Sequence, residues 1–470
     1  MHVIFLNPQG NFDRRDSFWA AHPDFGGQLI YVKETALAMA RMGVKVDIVT
    51  RQIDDPDWPG FSEPEDRYDG FPDNPRILRF PCGGPGFLQK ELLWDHLNEW
   101  AEHIADFYED SPPDFATGHY GDGGYAAVLL WQKMGVPFSL TGHSLGAQKL
   151  DKLGMTSDNF EEMNEQYNFS TRIEGERQTM INASLIVTST NQERYEQYGH
   201  PLYQTAISVE APKFHVIPPG VNTRVFNTNP AGGDEARTAA DIQAALGDGD
   251  KPCVILASRL ETKKNHIGVF EAFAASAELR ERADLVVVLR GVPDPWSDIG
   301  KLGAEEQDVL RPLLETAVRG GFKDALKFLD LRSQHALASA YRHLSRRGSV
   351  FCLTAFYEPF GLAPIEAAAC GLAQVVTKNG GPSEIFEDGS AVLVDPYDPA
   401  DIARGLLEGL ENHAELARKG ERRVLEHYTW DRTAARYLEA IEDSLRERAL
   451  DTELNGEDRL QAYLDGEQEP

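Results

Sequence analysis

Residues 1–50 read MHVIFLNPQGNFDRRDSFWAAHPDFGGQLIYVKETALAMARMGVKVDIVT, and three periodicities inside them decide the fold. His2-Val3-Ile4-Phe5-Leu6 is a continuous apolar run of strand length. From Gln28 to Met42, Leu29, Val32, Ala36, Leu37 and Ala40 return at helical spacing, and Gly43 closes that helix. Val44 to Thr50 is a second buried strand, so the segment has the form strand, glycine loop, helix, strand. Two strands joined through a helix lie parallel, because a tight turn can only reverse the chain.

Outward from this unit the alternation continues to about residue 215. Strands are expected over 77–80, 137–141 and 184–189, with helical stretches near 88–108 and 160–182. Val216-Ile217-Pro218-Pro219-Gly220-Val221 has the proline and glycine punctuation of a linker. A second series follows: strands over 253–257, 285–290, 325–329, 350–353 and 374–377, a helix near 267–278, and helix starts near Gly361 and Pro382. Ala391-Val392-Leu393-Val394 continues the apolar pattern, and 398–450 is helical and charged. The expected organisation is α/β in two Rossmann-like domains, 1–217 and 218–427, then a helix over 428–450 returning to the first domain and an acidic tail over 451–470.

At 470 residues, 41% apolar and 10% aromatic, the chain can bury two cores and needs neither disorder nor a membrane span. The opening strand has no basic leader before it, so a cytoplasmic protein is expected. Cys82, Cys253, Cys352 and Cys370 are far apart and lack metal-ligand spacing, which reads as reduced core cysteines. Seventy-five acidic against 46 basic residues give a charge of −29, which repels nucleic acid and anionic membranes. So acidic a surface also suits a salt-adapted, halophilic cytoplasm.

Phe356-Tyr357-Glu358-Pro359-Phe360-Gly361-Leu362-Ala363-Pro364-Ile365-Glu366 places one glutamate just after a buried strand and another one turn into the next helix. Ligands of parallel sheets bind at the carboxyl ends of strands, and the free amides at Gly361 and Leu362 suit a diphosphate. Glu366 could then reach ribose hydroxyls. Arg259 and Lys264, in Ser258-Arg259-Leu260-Glu261-Thr262-Lys263-Lys264-Asn265, follow another strand; two cations there need an anionic ligand or a salt bridge. Asp24-Phe25-Gly26-Gly27-Gln28 opens a helix and lets a ligand approach the backbone closely. Asp248-Gly249-Asp250 precedes a strand, the wrong end of the sheet for a metal on a diphosphate, so neither a metal nor a resident cofactor is expected.

The paired glutamates and the Gly-Leu step resemble the nucleotide-sugar site of the B-type retaining glycosyltransferases. That resemblance implies two domains facing across a deep cleft that closes on its substrates. It assigns Arg259 and Lys264 to the leaving diphosphate, Phe360, Gly361, Leu362 and Glu366 to the donor, and Glu358 to the transferred sugar. It also assigns Gly27 to the donor and matches His143 to a residue that hydrogen-bonds the transferred sugar. Phe5-Leu6-Asn7-Pro8-Gln9-Gly10, Phe25-Gly26-Gly27-Gln28, His119-Tyr120-Gly121-Asp122-Gly123-Gly124, Thr141-Gly142-His143-Ser144-Leu145-Gly146 and Ile217-Pro218-Pro219-Gly220-Val221-Asn222 are similar, in order, to the sucrose-phosphate synthases. That family implies UDP-glucose and fructose 6-phosphate as substrates, with Gln28, Lys90, Tyr120, Ser144, Lys149 and Arg172 in the acceptor pocket. Its plant members carry an additional phosphatase-like domain, so a separate sucrose-phosphate phosphatase is the expected partner.

Three other readings are open. A related transferase, such as a mannosylfructose-phosphate synthase or a sucrose synthase, would differ in donor or acceptor, though phosphate-binding cations argue against an uncharged acceptor. Gly142-His143-Ser144-Leu145-Gly146 also fits the nucleophile elbow of a serine hydrolase, with seven later histidines on offer, but that leaves the second α/β series unexplained and lacks a glycine-rich oxyanion loop upstream. A catalytically dead sugar sensor would not need Glu358, Glu366, Arg259 and Lys264 together.

Overall fold

A computed structural model describes residues 1–17, 27–229, 232–247 and 250–453 of the chain. They form two compact units: Met1–Ile217 with the residues from Thr433 onward, and Pro218–Arg432.

The first unit holds an eight-stranded sheet: β1 His2–Leu6, β2 Lys45–Arg51, β3 Glu65–Arg67, β4 Arg76–Phe80, β5 Phe115–His119, β6 Phe138–Thr141, β7 Leu185–Thr188 and β8 Phe214–Val216. The spatial order is β3-β4-β2-β1-β5-β6-β7-β8, parallel throughout except for the β3–β4 pair. Every residue of β1, β5, β6 and β7 is buried. Helices cover both faces of such a sheet, which is why its strands read as unbroken apolar runs. The helices that matter below are α1 Gly27–Arg41, α2 Leu97–Phe107, α3 Tyr120–Met134, α4 Gly146–Lys152, α5 Phe160–Tyr167 and α6 Phe169–Asn182. The final helix, Trp430–Glu453, also joins this unit: Tyr437 Oη lies 2.6 Å from Ser139 Oγ, and Arg436 donates to the Val216 carbonyl at 2.7 Å.

The second unit holds six parallel strands, β9 Cys253–Leu256, β10 Asp284–Leu289, β11 Leu326–Asp330, β12 Val350–Leu353, β13 Ala373–Thr377 and β14 Val392–Val394, in the order β11-β10-β9-β12-β13-β14. Strand order reverses between β1 and β5 in one sheet and between β9 and β12 in the other. Those reversals open a crevice at the carboxyl ends of the strands, where ligands of such sheets bind.

The structure refines the expected elements where local chemistry outweighs periodicity. The stretch near 88–108 begins with two short turns, Lys90–Leu92 and Trp94–His96, before α2. The helix near 160–182 breaks at Asn168, whose φ of 52° separates α5 from α6. Sequence periodicity missed β5 altogether, because Phe-Ala-Thr-Gly-His has no apolar run. Its burial comes from β1 and β6 on either side and from glycine contacts with α3. A Cβ on Gly118 would lie 2.8 Å from the Gly124 Cα, and one on Gly123 would lie 2.4 Å from the Leu6 carbonyl oxygen. The Gly121-Asp122-Gly123-Gly124 run therefore lets α3 start directly against the ends of β1 and β5.

All four cysteines are unpaired and buried, and burial raises their thiols, Cys82 and Cys253 to about 11. Among the described residues, no helix is long and apolar enough to cross a membrane. Asp248, Gly249, the Asp24-Phe25-Gly26 part of the glycine loop, and residues 454–470 of the acidic tail lie outside the described residues.

Gly123→Ala is expected to destabilise the first unit by about 1–3 kcal/mol, the usual range for overpacking, because backbone rather than a flexible side chain blocks the added methyl. A fall in the urea midpoint at unchanged slope is the measurement.

Candidate functional site

In the first unit the loops after β1, β5 and β6 carry the candidate residues. His119 ends β5 and is fully buried, its ring stacked on Phe5 at 5.5 Å and 7°. His143 follows β6 in a left-handed turn with φ of 55°, its ring half-buried and 5.1 Å edge-on from Tyr31 of α1. The two imidazoles meet at 3.0 Å, His119 Nδ1 to His143 Nε2. Burial pushes His143 down to about 3 and His119 well below its ordinary value, so both rings are neutral.

Ser144 and α4 come next. Arg172 of α6 is buried; its Nη2 donates to the Ser144 carbonyl at 2.6 Å and its guanidinium lies 4.5 Å over the Tyr120 ring. Its Nε donates to Glu176 Oε1 at 2.9 Å. Glu176 is completely buried, accepts the Gly146 amide on both oxygens at 3.0 Å and receives the Tyr203 hydroxyl. This carboxylate fixes the first turn of α4 and the Arg172 side chain together. Tyr120, Ser144 and Arg172 are thus one contact group. Lys90 and Lys149 form another: their ammonium groups lie 4.0 and 3.9 Å from the same oxygen, Glu91 Oε1. Lys149 also sits 4.5 Å over the Tyr167 ring. Asn168, one turn before Arg172 on α6, donates to the Glu91 carbonyl at 3.1 Å, which sets the two groups side by side. Gln28, at the start of α1, has a buried Nε2 with no hydrogen-bond partner among the described residues, and a Cβ at the exposed Gly27 would meet none of the described residues within 4 Å.

In the second unit Lys264 donates to Glu358 Oε2 at 2.6 Å, with both side chains largely buried. Asn265, with φ of 54°, anchors this loop by donating to the carbonyls of Thr354 and Pro396 at 3.0 and 2.7 Å. The Glu358 backbone is clamped by Gly380 and Gly381: the Gly381 amide donates to the Glu358 carbonyl at 2.9 Å, and a Cβ on Gly380 would lie 2.0 Å from that oxygen. Arg259 is 76% exposed and pairs with Glu261 at 2.8 Å. Phe360 is buried, with its ring 6.2 Å from Tyr428. Gly361, at φ of 109°, opens the helix Leu362–Ala369, whose first amides have no carbonyl to serve within the helix. One turn in, Glu366 has no hydrogen-bond partner among the described residues, and burial raises its carboxyl to about 8. An unpartnered acid beside a helix amino terminus suits a ligand rich in hydroxyl donors and phosphate.

Residue patterns did not single out Glu176, His119 or Asn265 as working parts of the site. Glu176 stands four residues after Arg172, the helical spacing of an ion pair, and that was the available signal. The nucleophile-elbow reading also meets geometry here. The strained residue of the turn is His143 rather than Ser144, and no histidine bonds Ser144 Oγ among the described residues.

Comparison with known proteins bears on the family and the fold. A family model described as glycosyl transferases group 1 matches residues 238–427, and one described as the sucrose synthase first GT-B domain matches residues 88–242. A probable sucrose-phosphate synthase of Thermosipho melanesiensis is 44% identical over 446 residues, covering 94% of this chain and 96% of its own. A probable sucrose-phosphate synthase 2 of Craterostigma plantagineum is 32% identical over 99% of this chain and 50% of its own. The chain spans about half the length of the plant relatives it matches. Among solved structures, the sucrose-phosphate synthase from Thermosynechococcus elongatus matches with a TM-score of 0.68 at 23% identity, over 94% of this chain and 98% of that one. An Anabaena protein, HepE, in complex with UDP-glucose, matches with a TM-score of 0.59 at 16% identity, over 94% and 100%. Likeness at these identities bears on the fold, and the two α/β units have the B-type glycosyltransferase architecture of two Rossmann-like domains.

Two outcomes follow from Glu176 and Glu366. Glu176→Gln removes one partner of a buried ion pair, and a loss of about 3–5 kcal/mol is expected in urea unfolding. For Glu366 the folded carboxyl keeps its proton where the unfolded one has released it. Its contribution to stability therefore falls as pH rises from about 4.5 toward about 8. Glu366→Gln, which cannot ionise, should match the parent near pH 5 and exceed it in stability at pH 9, read from urea midpoints at the two pH values.

Proposed function

The chain belongs to the sucrose-phosphate synthase family, and from that premise we propose that it transfers glucose from UDP-glucose to the anomeric hydroxyl of fructose 6-phosphate with retention, giving sucrose 6-phosphate and UDP. It is a hexosyltransferase whose donor is a nucleotide sugar. One observation carries the choice of a phosphorylated acceptor: Lys90 and Lys149 converge on a single carboxylate oxygen, beside the Arg172–Tyr120 stack. Two ammonium groups aimed at one point match a phosphate dianion better than an uncharged acceptor. Gln28 and Ser144 complete the acceptor group with neutral hydrogen-bonding side chains.

On the donor side, Arg259, Lys264 and the amides after Gly361 take up charge as the bond from the glucosyl carbon to UDP breaks. The same carbon bonds the acceptor oxygen, and the acceptor proton passes to the departing diphosphate. The protein's share is orientation and charge stabilisation. Before substrate binds, Glu358 and Glu261 hold these two cations in place. The diphosphate takes over part of the contact to Lys264, which leaves Glu358 to accept a hydroxyl of the glucose. Glu366 receives the ribose hydroxyls, Phe360 and Leu362 shape the donor pocket, Gly27 leaves room for the donor, and His143 hydrogen-bonds the transferred sugar. The scheme uses no resident cofactor or metal. It leaves the phosphate on the product, so free sucrose requires a phosphatase.

Nucleoside diphosphate release is the measurement, from UDP-, ADP- and GDP-glucose and GDP-mannose, each with fructose 6-phosphate or fructose, at low and high salt. UDP-glucose with fructose 6-phosphate is expected to give the highest kcat/KM. Lys149→Ala should raise KM for fructose 6-phosphate about tenfold or more, the size of one lost charged hydrogen bond, and leave any rate with fructose unchanged. A higher kcat/KM with fructose would exclude a phosphorylated acceptor, and faster release from GDP-mannose would point to the mannosyl relative.

A further inference from the structure

We propose that His119 is a positioning residue that locks the His143 ring into one tautomer, with Nε2 protonated and Nδ1 bare, so that His143 acts toward the sugar only as a hydrogen-bond acceptor. For the sugar this deepens the glucosyltransferase reading and rests on it; for the tautomer it stands on the hydrogen bonds alone.

The direction of each bond follows from the far end of the chain. One proton order makes hydrogen bonds of all three contacts: the Thr117 hydroxyl, with a single proton, gives it to the Ile4 carbonyl at 3.4 Å, a group that can only accept. The hydroxyl therefore meets His119 Nε2, 3.0 Å away, with a lone pair, and Nε2 carries the hydrogen. A neutral imidazole has one N–H, so His119 Nδ1 is bare and must receive. Its partner at 3.0 Å is His143 Nε2, which must then donate. His143 is left with an unprotonated Nδ1, and that atom has no hydrogen-bond partner among the described residues. Burial keeps both rings neutral, and a second proton on His119 would place a donor against the His143 donor.

The surroundings hold the rings in this arrangement. His119 is stacked on Phe5 and meets His143 edge to edge, the two ring planes 27° apart and their centroids at 5.3 Å, while Tyr31 stands edge-on to His143. The His143 backbone sits in the left-handed region directly after β6, and its ring packs against His119 and Tyr31. A bare nitrogen here accepts from a hydroxyl and offers nothing to an ether oxygen, a fluorine or a second acceptor. The site would therefore demand a hydroxyl donor on the transferred sugar at the position His143 reads.

Selective ¹⁵N-histidine labelling tests the lock directly, with His143 and His119 assigned from their variants. The expected spectrum shows both rings as Nε2–H tautomers between pH 6 and 8; a Nδ1–H tautomer or an imidazolium at His143 overturns the proposal whatever the activity. Kinetics test its consequence. His119→Leu removes the acceptor for His143 Nε2 and should lower kcat about tenfold with KM for fructose 6-phosphate within twofold, whereas His119→Asn, whose Oδ1 lies near the lost Nδ1, should restore most of the rate. His143→Asn keeps an acceptor near Nδ1 and His143→Gln keeps only the Nε2 side, so the Asn variant should be about tenfold faster; the reverse order overturns the acceptor role. Circular dichroism and urea midpoints identify any variant that fails to fold, in which case the tautomer spectrum of the parent decides. If that spectrum is as expected but no nucleotide sugar is turned over by the parent, the glucosyltransferase reading falls and the lock stands.

Discussion

Parallel pairing is the constraint on which this protein is built. A parallel neighbour can be reached only through a connection long enough to recross the sheet, so all the parallel strands of a sheet end on the same edge and the loops leaving them meet there. Where strand order reverses, between β1 and β5 and between β9 and β12, adjacent loops diverge and leave a crevice. The central strands are buried on both faces and carry mostly apolar side chains. Polar chemistry is consequently displaced to the strand ends, where His119, His143 and Ser144 gather in one unit and Arg259, Lys264 and Glu358 in the other.

The second theme is how an acidic protein keeps cations ready for an anion. With a net charge of −29, isolated lysines and arginines would be neutralised at random by surface carboxylates. Here the candidate cations are held by particular partners: Arg172 by Glu176, Lys264 by Glu358, Arg259 by Glu261, and Lys90 and Lys149 by one oxygen of Glu91. These pairs differ in burial, and that difference sorts their roles. Arg172 and Glu176 are both closed off from water, so their bond organises α4 and α6 and breaking it would strand a charge. Arg259 is open to solvent, where an ion pair is worth little and is readily exchanged for a phosphate.

Much of this was legible in the sequence, for identifiable reasons. The strand over 350–353 and the helix start at Gly361 announce themselves because apolar runs and left-handed glycines are local properties. So are the sucrose-phosphate synthase motifs, each a contiguous run of residues. β5 was hidden, because its burial depends on glycine contacts from α3 rather than on its own composition. The break at Asn168 was hidden too, since the flanking residues have helical periodicity on both sides. Glu176 looked like one more surface glutamate on a helix in a chain crowded with them.

The sequence by itself determined the two α/β series, the linker between them, the family and the residue types available at each strand end, because all of these are carried by order and spacing along the chain. Only the tertiary structure decided which groups face one another. Thr117 and His119 come from one strand and His143 from the turn after another, and the proton order among them depends on an Ile4 carbonyl from a third strand. Likewise the same Lys264 could have been a solvated charge; it is a buried partner of Glu358, 94 residues away, because Asn265 ties its loop to the ends of β12 and β14. Hydrogen-bond direction and desolvation belong to a point in space, and no spacing along the chain encodes them.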